Sequence, residues 1–549
     1  MKNKTLATTI NIGTKKIDWK LLVFLLLFLN FKLIIKVAAI ILIYTLRPDF
    51  KFGFKIKNSR LPLFYLLLPV IVVLNWLLYK MTGNFNYFIV LITGITFWIF
   101  CILAIHQVKL AVEKNDPEIL HQTILVFFII NALISLSVYV GIVWETGAIN
   151  PYRYQGNYQK YFIGTGDYIK GLTFDTSTTN AVISGLGVIY FLLHGKYIPV
   201  ILCMLVLLLT GSNFTNLLLC CTLLYIFFFQ GNKDQKSVII ICFVMLITFL
   251  VKISPQNNKY VTTAYEKIFN IQTNDKRPKA DIPITEKPDS ILTASEKKQK
   301  FAQLYLDSIN ISLSKKEKIK PLLGTFITTD IKSRPVIPGD SIHTPKFQHR
   351  NDTNAVEKQL IQFIKNNPSQ LNILSGSSSQ PKLPGKLLAM QQTFAFFKSY
   401  PYRIFTGTGI GNFSSKLAFR ATAMNFNGSY PAQYAYINND FKSNHLDLYL
   451  FYFTGKDDYH SVMNSPNSTY DQLLSEYGLA GLFSFILFYA GFFIKQIKIK
   501  TVAVPIFLFM LGAFFIEYWF EQLSVVIFFE LLILLNIKEI NLNKNNAIA

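Results

Sequence analysis

Long apolar runs constrain this chain more than any motif does. Twelve of them fall at about 20–31, 33–46, 61–80, 87–107, 118–141, 179–194, 196–210, 214–230, 236–252, 478–494, 501–518 and 521–537. A helix of about 20 residues crosses a hydrocarbon core and bonds its own backbone groups on the way. Composition agrees: 51% of residues are hydrophobic and 15% are charged, where a soluble domain carries about 25% charged. The pattern predicts an all-α fold: a polytopic membrane helix bundle of about 12 transmembrane helices, with one large, partly helical loop outside the membrane.

The first two runs read as a helical pair. One continuous helix would hold Lys32 and Lys36 in the bilayer, at roughly 2.5–3.5 kcal/mol each. A break at 30–32 lets both ammonium groups reach an interface. Positive charge then sets the orientation. With the N-terminus inside, the inner connections carry Lys2, Lys4, Lys15 and Lys16, then Arg47, Lys51, Lys55, Lys57 and Arg60. Lys109 and Lys114, Lys196, Lys233 and Lys236, Lys495, Lys498 and Lys500, and finally Lys538 and Lys544 follow. The short outer connections 81–86, 210–213 and 518–522 have neither Lys nor Arg. This alternation places both termini in the cytoplasm, with Lys32 and Lys36 the only dissenters. The basic start is followed by a polar stretch without a small-residue cleavage site, so it reads as a cytoplasmic tail.

Three regions result. Residues 1–252 form an N-terminal membrane domain with an outer loop at 142–178, residues 253–477 a large outer loop domain, and residues 478–549 a C-terminal membrane domain and tail. Within the large loop, 274–298 is polar and Pro-containing, and helical patterns follow at about 295–311, 354–366 and 385–399, the last closing before Pro401. The net charge of +23 is spread over loops with no basic stripe, which excludes nucleic acid as a partner. Membrane lipids are the partners that the runs imply. All five cysteines lie in apolar runs, so the outer loops hold no disulfide framework.

Two motifs stand out. "TGTGIGNF" (406–413) places Gly407, Gly409 and Gly411 two residues apart, followed by Asn412. Alternating glycines let backbone N–H groups turn towards an anion, and a diphosphate is a suitable guest. The same letters also fit a plain turn, and no Lys-Ser/Thr follows to make a P-loop. "NSTYDQLLSEYGLAGL" (467–482) begins at Asn467, sets Tyr470 and Tyr477 at helical spacing, and reaches the membrane at Gly478 with Glu476 at the interface. Glu476 is either part of a site or an exposed interfacial charge.

Further polar groups are candidates by position. His106, His121 and His194 lie near inner helix ends and read as structural, whereas His343, His349, His445 and His460 lie outside. None has metal-ligand spacing, so no metal site is expected. His460 precedes Asn467 by a short loop and is the best general base. Arg153, Arg350, Arg403 and Arg420 are outer arginines whose planar forks suit a pyrophosphate. Asp175, Thr176 and Asn180 cap a helix or bind sugar, capping being the simpler reading.

With these motifs in view, the chain resembles the O-antigen ligase and O-antigen polymerase superfamily over nearly its full length. The resemblance rests on helix number, the large loop before the last three helices, the "GTGIGNF" turn, and Glu476, Gly478 and Gly481. It implies a metal-independent, inverting glycosyltransferase of the GT-C class without cofactor, in the bacterial inner membrane, with the large loop periplasmic. The implied donor is an undecaprenyl-pyrophosphate-linked glycan. The acceptor is lipid A–core or a second lipid-linked glycan. Ligases carry His-Asn where this chain has Asn467 and Ser468, and often Ser-Arg-Gly where it has Ser212, Asn213 and Phe214. These departures tilt the expectation towards a polymerase or a ligase-like branch with another acceptor, and hand the missing roles to His460 or Arg153. The alternative is a lipid-linked glycan transporter or flippase. Transporters place charged groups at mid-membrane, and these helices read as nearly free of them.

Overall fold

The computed structural model describes residues 9–12, 15–79, 83–153, 164–254, 296, 300, 384–423, 428–446, 448–449, 462, 465–498 and 501–548. The fold is a helical bundle. Its helices are α1 (Trp19–Phe28), α2 (Leu33–Leu46), α3 (Phe64–Leu78), α4 (Phe85–Lys114), α5 (Pro117–Thr146), α6 (Ser177–Leu193), α7 (Tyr197–Leu209), α8 (Asn213–Phe229) and α9 (Lys233–Thr248). After the long loop come α10 (Gly385–Ser399), α11 (Lys416–Ala421), α12 (Asn439–Asn444), α13 (Thr469–Ser484), α14 (Ala503–Ala513), α15 (Trp519–Gln522) and α16 (Ser524–Ile548). Helix α13 continues through a wider π turn at Phe485–Ala490 to Ile494.

Among the described residues, four helical stretches are long and apolar enough to cross a membrane: Phe85–Lys114, Pro117–Thr146, Lys233–Ile253 and Thr469–Ile494. Most of the other apolar runs form shorter helices where turns cut into them, whereas the run at 521–537 lies within the 25-residue α16, which carries Glu530, Lys538 and Glu539. The run at 501–518, for example, leaves the helix at Ala513 and turns back through 514–518. Local chemistry sets several starts. Asn84 caps α4 through Tyr87 N–H, Pro117 opens α5 after Asp116, and Asn232 with Gln235 forms a capping box on α9. The centre is α16, where Val525 to Leu535 are at most 2% exposed. Phe64, Trp98, Phe485, Tyr489, Phe514 and Phe520 pack edge and face beside it. Large apolar side chains such as Ile34, Leu78, Phe228 and Phe229 point outward, as a lipid-facing surface requires.

Three features depart from the sequence expectation. The tail is not wholly helical or loose: strands β1 (Thr9–Ile12) and β2 (Lys15–Asp18) pair antiparallel, with Ile12 opposite Lys15. Alternating Ile and polar residues around Gly13 suit a tight hairpin. Asp18 then locks this hairpin to the bundle by capping α1, pairing with Arg47 and accepting from Asn115 at 2.7 Å. Secondly, Lys36 does not reach an interface. It is buried and donates to the Phe28 carbonyl at 2.7 Å, closing the C-terminal end of α1 at the break. Thirdly, α16 carries Glu530 in its buried stretch, bonded to the Tyr65 hydroxyl, so the bundle interior is not free of ionisable groups. Of the helical patterns in the large loop, α10 covers 385–399, while 295–311 and 354–366 fall essentially outside the described residues.

Candidate functional site at the glycine-rich turn

The two motifs meet. Gly407, Gly409 and Gly411 have φ of +79°, +92° and +70°, where a Cβ is penalised. This path aims successive N–H groups into the fold. The anion they receive is the carboxylate of Glu476: Gly411 N–H donates to Oε2 at 2.9 Å and Phe413 N–H to Oε1 at 3.1 Å. The Asn412 N–H and the Ser415 hydroxyl add to the same group. A diphosphate on these donors, as the sequence suggested, is therefore displaced by a side chain of the protein itself. Glu476 is buried and saturated rather than an exposed interfacial charge.

The backbones interlock as well. Gly478 breaks α13 with φ +65° and ψ −164°. Groups freed by the break are all taken up: Thr408 N–H donates to Ser475 O at 2.9 Å and Gly409 N–H to Glu476 O at 3.0 Å. In return Leu479 N–H donates to Ile404 O at 2.8 Å and Ala480 N–H to Phe405 O at 2.9 Å. A Cβ on Gly407 would lie 2.4 Å from the Glu476 carbonyl carbon, and one on Gly478 would lie 2.6 Å from Gly407 N. From α3, Asn75 donates to the Thr406 carbonyl at 2.5 Å, and the Tyr79 hydroxyl meets Thr406 Oγ1 at 2.7 Å. Asn412 is consumed by Tyr436 OH and Asn438 on its oxygen and by Thr408 O and Tyr87 OH on its nitrogen.

A second polar cluster lies earlier on α13. Asp471 accepts from Thr393 Oγ1 at 2.7 Å on Oδ1, and its Oδ2 faces His445 Nε2 across 3.9 Å. Neither of those facing atoms has a hydrogen bond among the described residues. His445 Nδ1 lies 3.1 Å from Gln392 Oε1, and burial pulls the imidazole down to about 3. Alongside, the buried Lys386 amine donates to Ser465 Oγ at 3.0 Å, to Ile516 O at 2.7 Å and to the Asn467 carbonyl. Burial lowers it to about 7, against the pull of Glu517 and Asp471. The Asn467 amide donates to Glu517 Oε1 at 2.7 Å. Thus the 514–518 turn holds Asn467 from one side. From the other, Phe515 packs against Phe214 with ring centroids 6.3 Å apart, next to Ser212 and Asn213 at the start of α8. Sequence reasoning overlooked Lys386, Asp471 and Glu517. A lysine beside Pro384 and acids inside apolar stretches were the available signals.

The remaining candidates separate into used and open groups. Arg403 pairs with Asp440 at 2.7 Å and lies 4.9 Å from the centre of the Tyr79 ring, so its fork is engaged within the protein. Burial pushes Asp440 up, against the pull of Arg403. Asn180 is buried, donating to Ser135 Oγ and Ile169 O and accepting from Asn131, and holds the 169–172 segment instead of facing a sugar. Thr176 caps α6 through Thr179 N–H, and Asp175 accepts from the Thr179 hydroxyl at 3.1 Å. Ser212 pairs with Thr215 at 2.9 Å. The Tyr470 hydroxyl donates to Leu511 O at 2.7 Å. Arg420 is half-buried beside Gly428, with its carbonyl bonded to Tyr430 N–H. Arg153 is exposed at the end of the turn Pro151–Arg153. That turn is anchored by the buried Tyr152, whose hydroxyl reaches Leu209 O, and by Thr165 on Pro151 O. Gly166 packs on the Thr210 carbonyl and the Gly211 amide, so the segment that follows this turn lies against the α7–α8 connection. His460 lies outside the described residues, as do Arg350, His343 and His349.

Comparisons with family models, curated proteins and solved structures found no match.

Proposed function

We propose that this chain is a multi-pass inner-membrane glycosyltransferase of the O-antigen polymerase or ligase type, with both termini cytoplasmic and residues 253–477 periplasmic. In this reading an acceptor hydroxyl attacks the anomeric carbon of a glycan on undecaprenyl pyrophosphate. A new C–O bond forms with inversion, the C–O bond to the diphosphate breaks, and the electron pair leaves on the diphosphate oxygen. The hydroxyl proton passes to His460 as base. A diphosphate leaves readily, so the reaction needs stabilisation of charge more than metal chemistry.

The observation that carries this reading is a convergence. Positions 467 and 213, where the resembling ligases have His and Arg, flank one turn, 514–518, through Glu517 and through the Phe214–Phe515 pair. Residues distant in sequence thus meet at one turn, and the exposed Arg153 follows Tyr152, whose hydroxyl reaches Leu209 O at the end of α7. Glu476 and the glycines take the role of a clamp that fixes α13, and Asn467 orients the acceptor. Arg153 is the leaving-group contact. Arg153→Lys keeps the charge but loses the planar fork, so turnover of reconstituted enzyme with a lipid-linked glycan should fall in both the Lys and Ala variants. Full activity in both would remove Arg153 from the site.

One observation favours the transporter alternative. Glu530 is a buried carboxylate in α16, with Tyr65 bonded to Oε1, and buried acids in membrane bundles mark ion pathways. The two readings part on product: an enzyme makes a new glycosidic bond in detergent, whereas a transporter needs a sealed bilayer.

A further inference from the structure

A cluster remote from the glycine-rich turn has the arrangement of a metal site. His121 in the first turns of α5, His194 at the C-terminal end of α6, and Glu539 near the end of α16 point ligand atoms at one another, all within 4.8 Å. His121 Nε2 is 2.6 Å from Glu539 Oε1, and His194 Nε2 is 3.9 Å from the same oxygen. Ligand atoms around a tetrahedral zinc at about 2.0–2.1 Å stand about 3.3 Å apart. The observed separations bracket that spacing, so side-chain shifts of about 1 Å would close the shell.

The outer contacts give the direction of the lone pairs. His194 Nδ1 lies 2.8 Å from the Tyr190 carbonyl, which can only accept. Nδ1 therefore carries the proton, and in the neutral ring the Nε2 lone pair faces a carboxylate oxygen. Two acceptors facing each other across 3.9 Å leave room for a cation between them. His121 Nδ1 pairs with the Tyr190 hydroxyl, and the Asn536 amide donates to Glu539 Oε2 at 3.4 Å. Each of the three side chains thus has its remaining polar atom held by a second residue, the pattern that orients metal ligands. Side-chain exposures of 21%, 19% and 21% for His121, His194 and Glu539 leave the ligands reachable. An open cavity of about 490 Å³, lined by His194, Glu539, Asn536 and Pro117, gives a route in.

We propose that His121, His194 and Glu539 bind a divalent transition-metal ion such as Zn²⁺, at the end of the bundle away from the glycine-rich turn. Two imidazoles and one carboxylate suit zinc and leave a fourth position for water. The separation follows from α4. Its Tyr87 touches Asn412, whereas Val112 and Asn115, at its other end, accept from Lys538, next to Glu539. At about 1.5 Å per residue those ends are about 40 Å apart. The ion would fasten the ends of α5, α6 and α16 together, and its presence is independent of the transfer reaction proposed above. No spacing in the sequence announces the cluster, because the ligands come from three distant segments.

The test uses the purified full chain in detergent, with any affinity tag removed and metal stripped by chelator. Zn²⁺ is titrated against a competing fluorescent chelator at pH 7, and bound metal is counted by mass spectrometry after desalting. About one Zn²⁺ per chain is expected, with affinity at least about tenfold weaker in His194→Ala and in Glu539→Gln. Tyr190→Phe keeps all three ligands but frees His121 Nδ1, so it should retain the stoichiometry with an affinity loss of about 10-fold to 100-fold. His106→Ala, outside the cluster, should bind as the wild type does. Absence of saturable binding to the wild type would overturn the proposal. Equal affinity in His194→Ala, Glu539→Gln and His106→Ala would overturn it too, by placing the ion elsewhere. If one variant fails to fold, the wild-type stoichiometry and the other variants decide.

Discussion

Glu476 and Asp471 stand on the same helix, both excluded from water, and the fold serves them differently. Glu476 has both oxygens bonded to N–H groups of the glycine-rich turn. Asp471 has only side-chain hydroxyls as donors, Thr393 and Ser414, and faces His445 across 3.9 Å. A buried carboxylate surrounded by backbone donors acts as a rivet, because every donor it satisfies would be orphaned without it. A buried carboxylate that faces an imidazole across a gap has fewer donors to hold it and is less constrained. The difference lies in the partner: alternating glycines supply several N–H groups to one point, and a single imidazole does not.

The largest effect should come from removing the rivet. Glu476→Ala orphans the Gly411 and Phe413 N–H groups, at about 1–3 kcal/mol each. The variant should unfold far below the wild type in a thermal scan followed by fluorescence, or fail to accumulate. A well-folded Glu476→Ala protein that had lost only activity would reverse the comparison and make Glu476 a chemical group.

Acid should act next, through His445. Burial holds its folded-state value at about 3, below the usual 6.5. Between those values the unfolded chain binds the extra proton, so stability is full above about 6.5 and falls as pH drops towards 3. Asp471 faces the ring, Gln392 occupies its other nitrogen, and the Lys386 amine acts on the same Asp471 carboxylate. The His445 contribution to the change from pH 7 to pH 5 should be a loss on the order of 1–2 kcal/mol, read as the difference between the wild type and His445→Gln in how melting temperature varies with pH. His445→Gln should flatten that dependence. An unchanged slope would mean the imidazole is already protonated in the fold.

The smallest effect is expected for Asp471→Asn. An amide there can keep the Thr393 bond and donate to His445 Nε2, so stability should move by less than about 1.5 kcal/mol in either direction. A loss as large as that of Glu476→Ala would show that Asp471 is riveted as well.

Much of the helix layout was legible from periodicity and run length. The four long apolar helices, the break at 30–32 and the start of α10 follow from local rules about apolar length, charge cost and proline. The glycine-rich turn was legible as a place where N–H groups converge, but its guest was not. A nest specifies an anion, and sequence cannot tell a ligand phosphate from a carboxylate that folds in from residue 476. Lys386, likewise, gave no sign that it would be buried on three acceptors.

Local sequence determined which segments are helical, which of them are apolar enough for a membrane, and where glycine permits positive φ. Those properties depend on neighbours within a few residues, and so they survive in the unfolded chain. Tertiary structure alone decided which polar atoms meet: Glu476 with the turn, Asn467 with Glu517, Asp18 with Arg47, and His121 with His194 and Glu539. Such pairs join segments separated by tens to hundreds of residues. Their energies exist only after the chain has lost the entropy that keeps them apart.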